Sequence, residues 1–302
     1  MKTKTLILFL VLTFSIGWLF QGLAIAGGVT QKGSIWLMAA MWAPILAALL
    51  AGAETRRSVW TRIRQTGWKL WPVALLVGFS FCIIQQLLLL AGRQGRWNDD
   101  FFRLSGNGQS IDSIHHVATL LGTGHQTFGF FALNLFLTIS LASVILMFTG
   151  GIGEEGGWRG VLQPEMERRW GPFKGTLLVG LVWGYWHLPV NLAAYNGARH
   201  PILQALLLFQ VGTIAMSFAL AWLVRWSGSV WPAALAHAAN NVLQSGTLIV
   251  PGNWGADQVT GVLASVLVGV ACAWLLIRRN SRMSGIIGST AKERSTGLPN
   301  NA

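Results

Sequence analysis

A chain of 302 residues with only 11% charged side chains against 53% apolar ones does not read as a water-soluble globule. Sixteen tryptophans suit membrane–water interfaces, where that residue concentrates, and 36 glycines suit helices that meet through small residues inside lipid. The formal charge of +12 is what basic residues flanking membrane spans produce; with no basic helix and no aromatic-basic platform, the sequence argues against nucleic acid as a partner.

A hydrocarbon core about 30 Å thick needs about 20 residues of apolar helix. Stretches 6–26, 34–53, 70–92, 130–151, 176–195, 202–224, 230–250 and 259–277 meet that need and predict an all-α, polytopic membrane bundle of about eight transmembrane helices. The first begins Met1-Lys2-Thr3-Lys4 and closes on Ala24-Ile25-Ala26, in the manner of a secretory signal. Its apolar run is long for a signal, and an uncleaved helix is expected. Residues 93–129 form a long, polar, glycine-rich outer loop; a metal on its His115, His116 and His125 is the lesser reading. Residues 156–174 are amphipathic and basic and are expected as a loop at the cytoplasmic surface. Residues 1–279 read as one integral-membrane domain with a core at about 130–250, and residues 280–302 as a disordered cytoplasmic tail. Cys82 and Cys272 sit in apolar runs and read as small buried hydrophobes. With both termini cytoplasmic, seventeen Lys and Arg fall on inside segments and five outside, the bias expected of a correctly threaded bundle.

A charged side chain inside a bilayer costs at least about 2.5–3.5 kcal/mol, so ionisable groups held there are candidates for function. Glu154 and Glu155 stand at the cytoplasmic end of the fourth stretch, His187 inside the fifth and His237 inside the seventh. Counted from the cytoplasmic ends, His187 lies roughly 16 Å deep and His237 roughly 10 Å at 1.5 Å per residue, with Glu154 shallower but cushioned by Gly150, Gly151, Gly153, Gly156 and Gly157. Glu155 and Arg159 are four apart with the acid first, the favourable order for a helical ion pair. That pairing leaves Glu154, about 100° round the helix, to serve as a general base. His237 and Asn241 share a helical face, as do His187 and Asn191. Pro189 frees the carbonyl of Tyr185 and predicts a kink beside His187.

These residues carry a resemblance. Glu154-Glu155-Gly156-Gly157-Trp158-Arg159 resembles the Glu-Glu-x-x-x-Arg motif of the CPBP family, which includes CAAX prenyl proteases and bacteriocin-processing enzymes. Trp183-Gly184-Tyr185-Trp186-His187 is similar to its second motif, with Trp183 where Phe is usual, and His237-Ala238-Ala239-Asn240-Asn241 to its third, His-x-x-x-Asn. The resemblance implies an intramembrane endopeptidase whose site opens to the cytoplasm. It makes Glu154 the general base, His187 the residue that orients water, and His237 with Asn241 the oxyanion hole, with Glu155 and Arg159 in support. It leaves two cofactor readings: no cofactor, which is favoured, or Zn²⁺ on Glu154, His187 and His237. The expected partners are a peptide, lipidated or membrane-protein substrate and the bilayer itself, with no nucleic acid; the expected location is the plasma membrane of a prokaryote. Two other readings use the same buried groups: a proton-coupled transporter, and a non-catalytic membrane scaffold or immunity protein.

Overall fold

The computed structural model describes residues 1–28, 34–99, 102–104, 110–113, 119–195 and 198–295. The architecture is all-α. In chain order the helices are α1 (Thr3–Ala26), α2 (Ser34–Met41), α3 (Ala43–Ala51), α4 (Ala53–Ile63), α5 (Trp71–Ala91), α6 (Phe128–Leu146), α7 (Ile152–Gly157), α8 (Gln163–Trp186), α9 (Leu188–Leu192), α10 (Pro201–Leu203), α11 (Phe209–Ser227), α12 (Trp231–Gln244) and α13 (Trp254–Ser295). Prolines open several of them one residue in, as Pro72, Pro189 and Pro232 do, where a missing N–H costs nothing. Gly228 ends α11 in the left-handed conformation, at φ 72°.

Five helices are long and apolar enough to cross a membrane: Thr3–Ala26, Trp68–Ala91, Phe128–Trp186, Pro201–Ser227 and Trp254–Arg278, with a shorter apolar helix at Ile35–Ala51. Their outward faces carry large apolar side chains, among them Leu19, Leu76 and Val270, each more than 60% exposed, which is the surface a bilayer covers. This is an integral membrane protein. The 59-residue helical stretch Phe128–Trp186 contains the expected span 130–151 and the first part, 176–186, of the expected span 176–195. The stretch expected as a span at 230–250 is helical over only the 14 residues of α12. Residues 232–240 of it are all buried, so protein rather than lipid surrounds this helix and no bilayer-length run is needed.

Helix α12 sits at the centre, against α5, α6 and α11; α11 packs in turn on α8 and α13, and α1 on α2 and α3. Cys82 on α5 and Cys272 on α13 are buried, unpaired thiols, as expected. The stretch after α5, expected as an outer loop, is not all loop. Strands β1 (Gly95–Trp97), β2 (Phe102–Leu104), β3 (Ser110–Ser113) and β4 (Gly124–Thr127) form there. β2, β3 and β4 make an antiparallel sheet, and β1 pairs antiparallel with β5 (Ile249–Pro251). His125 lies on β4, whereas His115 and His116 are outside the described residues. The backbone of α13 continues as helix to Ser295, into the segment expected as a tail.

The stretch 156–174 differs most from expectation. It is helical, and its first part is interior: Trp158, Arg159, Val161 and Leu162 are all buried. The chain turns only at Gly171, at φ 75° and ψ 168°, where the second half of α8 begins with Pro172. At this corner Gln163 donates to Thr176 Oγ1 at 2.7 Å and to Glu167 Oε1 at 2.6 Å, tying the two halves together.

Candidate active site

The acidic pair lies on α7, a helix of six residues bracketed by two π-helical turns, Met147–Gly151 and Trp158–Leu162. Such turns admit an extra residue per turn and re-aim side chains, which is why they gather at functional sites. The glycines have a packing reason here. A Cβ on Gly157 would lie 2.3 Å from Pro44 Cβ, and one on Gly151 would lie 2.8 Å from the carbonyl oxygen of Ala234. Bare backbone lets α7 press between α3 and α12 and carries both glutamates into the interior.

Glu155 and Arg159 have no solvent exposure. Arg159 Nη1 lies 3.1 Å from Glu155 Oε2 and donates to Oε1 at 3.3 Å; its Nη2 donates to Ser217 Oγ on α11 at 2.9 Å. The guanidinium also stacks over the Trp183 ring, 4.7 Å from its centroid. The predicted i, i+4 pair is therefore present. Its further partner is His237, whose Nδ1 lies 3.0 Å from Glu155 Oε1 although 82 residues separate them. The Glu155 carboxylate is thus shared between a guanidinium and an imidazole, while Arg159 Nε has no hydrogen-bond partner among the described residues.

Glu154 is 2% exposed. Its Oε2 accepts from Trp183 Nε1 at 2.6 Å and from Trp158 Nε1 at 3.4 Å. It is thus not free of partners, as the sequence suggested, but its Oε1 accepts no hydrogen bond among the described residues. His187 terminates α8 and its Nδ1 lies 2.9 Å from the Trp183 carbonyl oxygen. A carbonyl can only accept, so Nδ1 carries the proton and Nε2 of a neutral ring is an acceptor. Glu154 and His237 both stand within electrostatic reach of His187. Trp183 is the hub: its ring lies 5.1 Å from that of His237 and 5.9 Å from that of His187, edge to face.

The structure therefore brings Glu154, Glu155, Arg159, His187 and His237 around Trp183. Asn241 lies one turn beyond His237 on α12, half-buried, with its Oδ1 3.4 Å from Asn240 Nδ2. Asn191 is buried with its Nδ2 unpaired among the described residues. Trp183, Trp158 and Ser217 are site residues that residue patterns alone do not reveal as donors or acceptors; the one hint was a tryptophan at a position where the motif usually has phenylalanine. Among the described residues no group of three or more His, Cys, Asp or Glu is arranged to hold a metal ion.

A polytopic helical membrane protein with two acids, two histidines and an arginine gathered in its interior has the makings of an intramembrane hydrolase. Residues 136–243 match the family model described as Rce1-like, type II CAAX prenyl endopeptidase, a match to the CPBP/CAAX protease family. All six expected site residues fall inside it. No curated protein matches the chain.

Proposed function

We propose that this protein is an intramembrane endopeptidase that hydrolyses a peptide bond with a water activated by Glu154 and His187. The observation that carries the reading is the split state of the Glu154 carboxylate: one oxygen is pinned by two indole N–H groups while the other accepts no hydrogen bond among the described residues, and the carboxylate interacts electrostatically with both histidines. Glu154 Oε1 takes a proton from water as the water oxygen attacks the scissile carbonyl, and later returns it to the departing amine. His187 Nε2 accepts the second O–H and fixes the direction of attack.

His237 has a different task. With Nδ1 donating to the Glu155 carboxylate, its Nε2 can donate to an oxyanion only when the ring holds both protons. Glu155 stabilises that imidazolium, and Arg159 balances Glu155. Asn241 Nδ2 supplies the second donor to the oxyanion. The reaction needs no covalent enzyme intermediate and no metal. The substrate class that the family description suggests is a prenylated peptide ending in a CAAX sequence. The charge bias supports cytoplasmic termini and a site toward that face, and the plasma membrane of a prokaryote is the proposed location.

The test uses the full chain in lipid nanodiscs with a farnesylated, quenched fluorogenic CAAX peptide. Wild-type protein is expected to release the terminal tripeptide, identified by mass spectrometry. Elemental analysis of the active sample is expected to find less than stoichiometric zinc. No cleavage of prenylated or unprenylated peptide, with proton-coupled uptake or catalysis-independent partner binding instead, would overturn the protease reading. Stoichiometric zinc with loss of activity on chelation would overturn the metal-free mechanism alone.

A further inference from the structure

The family match begins at residue 136, yet the backbone that presents His187 is held from outside it. α8 stops at Trp186, and the last carbonyls of any helix lack intrahelical partners. The Trp186 carbonyl oxygen accepts from Gln21 Nε2 at 2.9 Å and from Trp18 Nε1 at 3.0 Å, both on α1. The Trp186 indole is held by the same helix: its Nε1 donates to the Thr13 carbonyl at 3.2 Å. Gly17 makes the room, since a Cβ there would lie 2.0 Å from Trp186 Nε1. Residues 13, 17, 18 and 21 line one face of α1, spaced by about one helical turn. Gln21 and Trp186 are 1% and 2% exposed, and Gln21 Oε1 is left unpaired among the described residues. A buried amide with one orphaned atom is costly, so its one strong bond points to a task at Trp186.

We infer that α1 is a clamp that sets the position of His187, with Gln21 and Trp18 as positioning residues for it. The route is short. His187 follows Trp186 directly, its ring packs edge-on against the Trp186 indole at 4.7 Å, and Phe209 closes the other side at 5.0 Å. The helix is interrupted between α8 and α9, and His187 itself keeps backbone bonds of 3.1 Å to the Gly184 carbonyl and from the Asn191 N–H. The clamp adds to these the hold on the Trp186 carbonyl that ends α8. This inference rests on the protease reading only for its activity arm.

The experiment compares wild-type protein with Gln21→Leu, Trp18→Phe and the double variant in nanodiscs. Leucine removes the donor together with the orphaned oxygen, so a purely structural role predicts near-unchanged thermal stability and unchanged kinetics. The clamp predicts that kcat falls about fivefold in each single variant and about 20-fold or more in the double, with KM within twofold of wild type. A second readout does not depend on turnover. Ring resonances of ¹⁵N-labelled His187 are expected to shift or broaden in the double variant while those of His237 stay in place. Wild-type cleavage with kcat of the double variant within twofold of wild type, and an unchanged His187 signal, would overturn the clamp and leave the protease reading intact. If wild-type protein cleaves nothing, the protease reading fails, and the His187 signal alone decides the clamp.

Discussion

Replacing Arg159 with methionine keeps much of the side-chain volume and deletes the charge. In the native protein its guanidinium contacts Glu155, Ser217 Oγ and the Trp183 face, with no solvent exposure at either member of the ion pair. The substitution strands the Glu155 carboxylate in a position with no solvent exposure, leaving only His237 against it. Removing one partner of such a pair costs about 3–5 kcal/mol. For a chain of this length roughly 2 °C of Tm accompanies each kcal/mol, so Tm is expected to fall by about 6–10 °C. Pairing Arg159→Met with Glu155→Gln removes both charges and keeps an acceptor for His237 Nδ1. That double variant is expected to regain at least half of the lost stability, because the cost lies in the uncompensated charge rather than in the missing contact. Thermal unfolding in nanodiscs, followed by intrinsic tryptophan fluorescence, reads both values. A single variant within about 2 °C of wild type, or a double variant no better than the single, would refute the reasoning.

Three further outcomes follow from the same geometry. His187→Ala and His237→Ala are each expected to abolish detectable peptide cleavage while the proteins remain folded by size exclusion and circular dichroism; near-normal turnover in either would overturn its assigned role. Trp183→Phe removes the indole N–H from Glu154 Oε2 but keeps an aromatic ring, and kcat is expected to drop about tenfold, the equivalent of one charge-assisted hydrogen bond. Unchanged kcat would show that Trp183 only packs. Gly157→Ala places a Cβ against Pro44 at 2.3 Å, and such overpacking costs about 1–3 kcal/mol, so Tm should fall by several degrees; an unaltered Tm would mean that α3 and α7 can separate freely.

The sequence carried the class of the molecule because lipid imposes simple demands: long apolar helices, basic residues on one side, and few charges between. It also singled out the candidate residues, since Glu154, Glu155, His187 and His237 stand out wherever charge is expensive. The Glu155–Arg159 pair was readable from helical spacing alone. Its third member was not, because contact between Glu155 and His237 depends on how α7 and α12 cross, and no local period encodes that. The surface loop expected at 156–174 failed for a related reason. Arg159 looks solvent-seeking by itself, but a buried carboxylate neutralises it and a glycine-rich helix lets both enter the core. The span expected at 230–250 failed because an apolar helix wrapped in protein has the same composition as one wrapped in lipid. The hold of α1 on Trp186 was equally invisible, since Gln21 and Trp18 are ordinary residues in an apolar run until the chain brings them to the end of α8.

Glu154 is the group on which the account turns, and Glu154→Gln tests it with least disturbance. The amide keeps a carbonyl oxygen for the Trp183 and Trp158 indoles but cannot take a proton from water. Turnover of the farnesylated peptide in nanodiscs should fall by about 10²–10⁴-fold, the usual weight of a general base, with Tm and peptide binding near wild type. Cleavage by Glu154→Gln protein within about tenfold of the wild-type rate would contradict the account, because water would then be activated by some other group.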